Sequence, residues 1–253
     1  MLRVVVLAVA LSAVYGLEAA GSANTQGQLL AAAGFNAAQV NTVQTCKADI
    51  CFALDSSGSL GNNGWNTVIA FAKNVVQYLP VSQQQVKIST VSFNEVVTDQ
   101  FNFNYQPQSV TGIMNKLSTL PYSAGNTNIG DAMRRCRDYL TQAQYGARFE
   151  AGVSKIAVVF TDGKANRGDP VSQVSQELMN SGLSFIAVGA GSTDDQELLA
   201  IALGQPSNVL KVSDLNALNS IVTKIVQKAC IGKCVFKLNS DRPVDLIQHV
   251  FNL

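Results

Sequence analysis

Apolar residues recur along this chain with two alternating periods. Between Ala48 and Leu54 nearly every position is apolar, and Val86–Phe93, Lys155–Thr161, Leu183–Val188 and Asn208–Val212 are short, β-branched and mostly apolar. Runs of that kind predict strands, several of them buried on both faces. Val96–Phe103 follows Val86–Phe93 across Asn94-Glu95 and reads as the second arm of a hairpin. Between the strands the apolar spacing changes to three and four: Trp65, Val68, Ile69, Ala72, Val75, Val76 and Leu79 in one segment, Ile129, Ala132, Met133, Cys136, Tyr139 and Leu140 in another. That spacing predicts amphipathic helices, with further ones over Val110–Leu120, Val171–Met179, Asp195–Leu203 and Leu215–Val226.

Strands separated by helices need crossover connections. The expected fold is therefore α/β and doubly wound (Rossmann-like), a mainly parallel six-stranded sheet with helices on both faces and one antiparallel edge strand from the hairpin. Ligands of such sheets sit beyond the carboxyl ends of the strands, where the winding reverses.

Outside this region the text is different. Arg3 and the apolar run Val4–Val14, followed by Tyr15-Gly16, read as a secretory signal over 1–16, too short for the ~20 apolar residues of a membrane span. Residues 17–45 are small and polar, a leader with at most a short helix near Gln28–Ala33; 46–230 form the domain, and 231–253 a weakly patterned tail ending in a short helix or frayed chain. With 18 Lys+Arg against 17 Asp+Glu, no strong field favours nucleic acid. A charged fraction of only 14% suits an extracellular surface rich in Gln, Asn, Ser and Thr.

Secretion makes disulfides the expected state of the 5 cysteines. Cys46 precedes the first core strand and Cys230 follows the last helix, so a Cys46–Cys230 bridge would staple the domain's ends, an effect of the order of several kcal/mol. Cys51 lies four residues before Asp55 and Cys136 nine after Thr127, which puts both about 13 Å below the strand ends. A buried Cys51–Cys136 bond and two packed thiols are both compatible with that placement. Cys234 is left over and would bond to another chain, giving a disulfide-linked oligomer.

The strand ends carry the candidate chemistry. Asp55-Ser56-Ser57-Gly58-Ser59 follows the first strand, Gly125-Asn126-Thr127-Asn128 opens the helix at Ile129, and Thr161-Asp162-Gly163 ends another strand. Singly, an Asp-Gly pair is a common turn and Asn-Thr a common helix cap. Together they bring two carboxylates and three hydroxyls to one rim, a hard-oxygen set suited to Mg²⁺, with Mn²⁺ or Ca²⁺ as alternatives.

On these three motifs the stretch Ala48–Cys230 resembles the von Willebrand factor A domain family, whose metal-ion-dependent adhesion site combines Asp-x-Ser-x-Ser, a Thr in a Gly-rich second loop and the Asp of Thr-Asp-Gly. Ile129 stands where the family often has a second Thr, a position outside the usual ligands. The resemblance implies that Ser57, Ser59 and Thr127 ligate the ion directly while Asp55 and Asp162 act chiefly through water. Few anionic ligands would then touch the ion, leaving it able to accept an Asp or Glu carboxylate of a partner, collagen or another matrix protein. The alternative implied by the same family is a structural matrix component of byssal or shell-matrix type with little metal dependence.

An enzyme is the rival class. A phosphoryl-transferring aspartate would want an Asp-x-Asp pair, but that position is Ser57, and His249 in the tail is the sole histidine. No Ser or Cys has an identifiable base partner, so a metal-assisted hydrolase is the weaker reading. Gly189-Ala190-Gly191 lacks the rest of a phosphate-binding fingerprint and reads as a turn. Arg167-Gly168-Asp169 is either an integrin attachment tripeptide or simply a turn in which Gly168 redirects the chain and Asp169-Pro170 start the next helix.

Overall fold

The structure, a computed structural model, describes residues 46–230 together with the backbone of 40–41 and 237–238. Those last four residues pair as a short antiparallel ladder, Val40 opposite Leu238 and Asn41 opposite Lys237. The signal, the helix near 28–33, Cys234, His249 and the rest of the tail lie outside the described residues.

Within 46–230 the strands are β1 (Ala48–Asp55), β2 (Val86–Phe93), β3 (Val97–Phe101), β4 (Ser154–Thr161), β5 (Ser184–Ala190) and β6 (Val209–Val212). They stand in the order β3-β2-β1-β4-β5-β6, with β3 antiparallel to β2 and every other pair parallel. This is the doubly wound sheet expected from the alternation of periods. Its winding reverses between β1 and β4, where Leu54 lies opposite Phe160.

Six α-helices cover the sheet: α1 (Gly61–Gln77), α2 (Val110–Leu117), α3 (Ile129–Thr141), α4 (Val171–Leu178), α5 (Asp195–Ile201) and α6 (Val222–Cys230). All eight positions of β1 are buried. Its alternate side chains divide between two cores, because successive residues of a strand point to opposite faces. Ile50, Phe52 and Leu54 pack with α1, α2 and α6, and Cys51 and Ala53 with α3, α4 and α5.

Two expectations need correction. The segment Leu215–Val226 is not one α-helix, since Leu215–Ile221 is a 3₁₀ turn that runs into α6. Its core-facing residues Leu215, Leu218 and Ile221 are spaced by three, the period that the tighter helix presents on one face. The hairpin's second strand begins at Val97 because Asn94 closes the turn on Val96: the Asn94 side chain accepts from the Val96 amide at 3.0 Å, and the Asn94 amide donates to Val96 O at 3.1 Å.

The cysteines of the domain are bonded in both pairs. Cys46–Cys230 joins the chain just before β1 to the end of α6, with a Cα separation of 5.1 Å. Cys51–Cys136, Cα separation 5.6 Å, ties β1 to α3, so of the two readings left open by the sequence the structure has the disulfide.

Candidate metal centre

Strand register puts the site together. Asp55 ends β1 and Thr161 ends the neighbouring β4. Thr161 Oγ1 donates to Asp55 Oδ2 at 2.7 Å, and the Ser57 amide donates to Asp55 Oδ1 at 2.8 Å, so the carboxylate is aimed through both oxygens. The turn then carries its hydroxyls outward in a relay. Ser57 Oγ lies 3.1 Å from Ser59 Oγ, which donates to Asp162 Oδ1 at 2.7 Å, joining the first loop to the third. Ser56 faces the other way, bonding Phe93 O at 3.1 Å and Ser123 Oγ at 2.8 Å.

The second loop is stitched to both of the others. The Gly58 amide donates to Gly125 O at 2.9 Å. Tyr122 Oη donates to Ser57 O at 3.1 Å. Thr127 is held through its backbone: its amide donates to Asn166 Oδ1 at 2.8 Å and its carbonyl accepts from the Asn166 amide at 3.0 Å. Neither bond uses the Thr127 hydroxyl. Gly125 needs its φ of +109°, a conformation that costs other residues strain, to pass beneath Asn94 and Glu95. Thr161, Asn166 and Tyr122 are thus positioning residues that the linear motifs did not single out. Only Thr161 stood inside a quoted motif; Asn166 and Tyr122 carry no local signal.

The electrostatics distinguish this end of β1 from the other. Asp49 and Asp55 lie on the same face of the strand and are both fully buried. Asp49 is matched by cations, accepting from Arg148 Nε at 2.8 Å, the Arg148 amide at 2.8 Å and Lys155 Nζ at 2.7 Å. Asp55 has no such partner: among the described residues no Lys or Arg forms an ion pair with it or with Asp162. Burial pushes the Asp55 carboxyl up to about 6, against the lowering effect of its hydrogen bonds, and the nearby Asp162 charge adds to the rise. Asp162 is raised as well, chiefly by burial. Two desolvated acids with no basic side chain paired to them among the described residues, beside the hydroxyl oxygens of Ser57, Ser59 and Thr127, fit a hard dication.

The sequence-derived metal residues therefore have definite places. Asp55, Ser57, Ser59 and Asp162 form one hydrogen-bonded group, and Thr127 lies on the loop bonded to both of its sides. Gly189-Ala190-Gly191 lies elsewhere, at the end of β5, where a Cβ on Gly189 would stand 2.6 Å from Leu198; that glycine serves helix packing. Arg167-Gly168-Asp169 lies on the continuation of the third loop, and Asp169 is bound to Arg134 Nη1 at 2.8 Å.

A doubly wound sheet with oxygen-bearing turns at its switch point defines the class, and the chain belongs to the von Willebrand factor type A domain family, whose profile matches residues 49–224. It is 31% identical over 187 residues to the collagen alpha-6(VI) chain of Mus musculus, covering 73% of this chain and 8% of that one. To matrilin-1 of Gallus gallus it is 26% identical over 202 residues, covering 76% of this chain and 40% of that one. The chain thus spans less than half the length of either relative. Among solved structures, proximal thread matrix protein 1 from the mussel byssus superposes with a TM-score of 0.68 at 24% identity, covering 74% of this chain and 49% of that one. A form of that protein described as having a zinc-occupied MIDAS motif matches with a TM-score of 0.63 at 26% identity, over 74% of this chain and 46% of that one.

Proposed function

We propose that this chain is a secreted extracellular-matrix or adhesion protein that binds matrix protein partners through a divalent cation held by Ser57, Ser59 and Thr127, with Asp55 and Asp162 acting through water. The observation that carries the reading is the contrast along β1, where Asp49 is neutralised by Arg148 and Lys155 while, among the described residues, no Lys or Arg pairs with the equally buried Asp55 or with its neighbour Asp162. Mg²⁺ is the proposed ion, with Mn²⁺ or Ca²⁺ able to occupy the same oxygens. When bound, the ion supplies an electrophilic position for a partner's Asp or Glu carboxylate. The protein's own part is to keep the hydroxyls in register and limit the anionic charge around them.

The relatedness to collagen and matrilin chains supports a matrix partner, collagen or another protein, and the likeness to a byssal matrix protein supports a place in an extracellular assembly. Among the described residues no helix is long and apolar enough to cross a membrane. The reading is of a binding protein and not an enzyme, and the relatedness to collagen and matrilin chains supports it. The test has two arms. Titration calorimetry of Mg²⁺ and Mn²⁺ into chelator-treated full-length protein is expected to show one site, abolished in Asp55→Ala and Thr127→Ala. Binding to immobilised matrix proteins is expected to require the cation and to fail in the same variants. Undiminished binding in chelator would instead favour the structural matrix component with little metal dependence.

A further inference from the structure

The loop that leaves Asp162 holds an exposed arginine, Arg167. Among the described residues Arg134, Arg135, Arg137 and Arg148 are each ion-paired. Arg167 is exposed and has neither an ion pair nor a hydrogen bond. Its neighbours, by contrast, are all occupied in holding the backbone. Asn166 is bonded twice to Thr127 of the second metal loop, at 2.8 and 3.0 Å. Gly168 has a φ of +76°, and its Cα is so close to Asn128 that an added Cβ would lie 2.3 Å from Oδ1. Asp169 is fixed by Arg134, and its carbonyl lies 3.0 Å from where a Cβ on Gly130 would be. An exposed side chain anchored on both sides is preorganised, so little backbone entropy is lost when it captures a ligand.

Arg167 also lines a groove of about 520 Å³ formed by this loop and α5. The acids of that groove are already engaged: Asp194 pairs with Lys164 at 2.6 Å, Asp169 with Arg134, and Glu197 Oε1 accepts from the Ala165 amide at 2.9 Å. Of the two cations on that lining, Lys164 has a counter-ion and Arg167 has none, while Glu197 is held by an amide and not by a cation.

We infer that Arg167 is a second recognition point beside the metal centre, and that the partner is an acidic protein segment presenting one carboxylate to the cation and another to the Arg167 guanidinium. The inference rests on the metal-site reading for the first carboxylate only. It also gives the Arg-Gly-Asp tripeptide a different use from integrin attachment, because its Asp is bound within the fold and its Arg is the group on offer.

Synthetic peptides with a single Glu, or with two Glu separated by glycine spacers of graded length, test this against the full-length protein in Mg²⁺. The best two-acid peptide is expected to bind about three- to tenfold more tightly than the one-acid peptide, the size of an exposed to partly desolvated Arg–carboxylate contact. The ratio should collapse towards one in Arg167→Gln, survive in part in Arg167→Lys, and reverse in Arg167→Glu, which should prefer a Glu/Lys peptide. Equal ratios in wild type and Arg167→Gln, or no binding by any peptide, would overturn the inference. So would Arg167-dependent competition by a sulfated oligosaccharide in place of the two-acid peptide. Chelator separates the two ideas: one-acid binding that is indifferent to chelator defeats the metal reading, whereas loss of the ratio alone defeats the role of Arg167.

Discussion

Residue by residue, the domain uses buried charge in two opposite ways along one strand. Asp49 is structural. Replacing it by Asn leaves Arg148 and Lys155, both largely buried, without a counter-ion, and is expected to cost about 3 kcal/mol in urea denaturation. An unchanged midpoint would show that those cations are served by the carbonyls of Ala48 and Gln85, which Arg148 also reaches at 2.8 and 2.7 Å. Gly168 offers a second residue-level check. Alanine there is expected to cost about 1–2 kcal/mol through its left-handed backbone and its approach to Asn128. Gly163→Ala, whose Cβ meets nothing within 4 Å, should leave the stability close to that of wild type. The motif residues Asp55, Ser57, Ser59, Thr127 and Asp162 stood out in the sequence because each sits in a short polar run where an apolar strand ends or a helix begins. Asn166 and Tyr122 did not, because a residue that positions a distant loop is recognisable only by what it touches.

Among the elements, β1 and α3 are the pair on which the site depends. β1 ends in Asp55, α3 begins two residues after Thr127, and Cys51–Cys136 fastens them together beneath the rim. The Cys51→Ala/Cys136→Ala double variant is expected to lose about 4.5 kcal/mol, the chain-entropy value for a separation of 85 residues. A loss well below this in equilibrium denaturation would show that the two sulfurs act mainly as packing atoms. Strands and helices were legible wherever the apolar period was unmixed, as in α1, α3 and β2. The 3₁₀ turn at Leu215–Ile221 was not, because spacings of three satisfy an α-helical reading until the packing against the sheet selects the tighter winding.

For the whole molecule, Cys46–Cys230 closes the domain on itself across a separation of 184 residues. The Cys46→Ser/Cys230→Ser variant should be less stable by about 5 kcal/mol by thermal and chemical denaturation while retaining the arrangement of the proposed metal residues, which lie at the opposite ends of the strands. Loss of Mn²⁺ affinity in a variant shown to be folded would contradict that separation. What the sequence by itself determined is the alternation of strands and helices, the doubly wound class, and three turns bearing oxygen-rich side chains, all of which are local patterns set by side-chain chemistry and backbone period. Only the tertiary structure decided that Cys51 meets Cys136, that Asn166 locks Thr127, and that among the described residues Asp49 has cations while Asp55 has none and Arg167 is left unpaired between two anchors. Those are statements about which distant segments share space, and burial makes them consequential, because a charge removed from water must be matched by whatever the fold brings beside it.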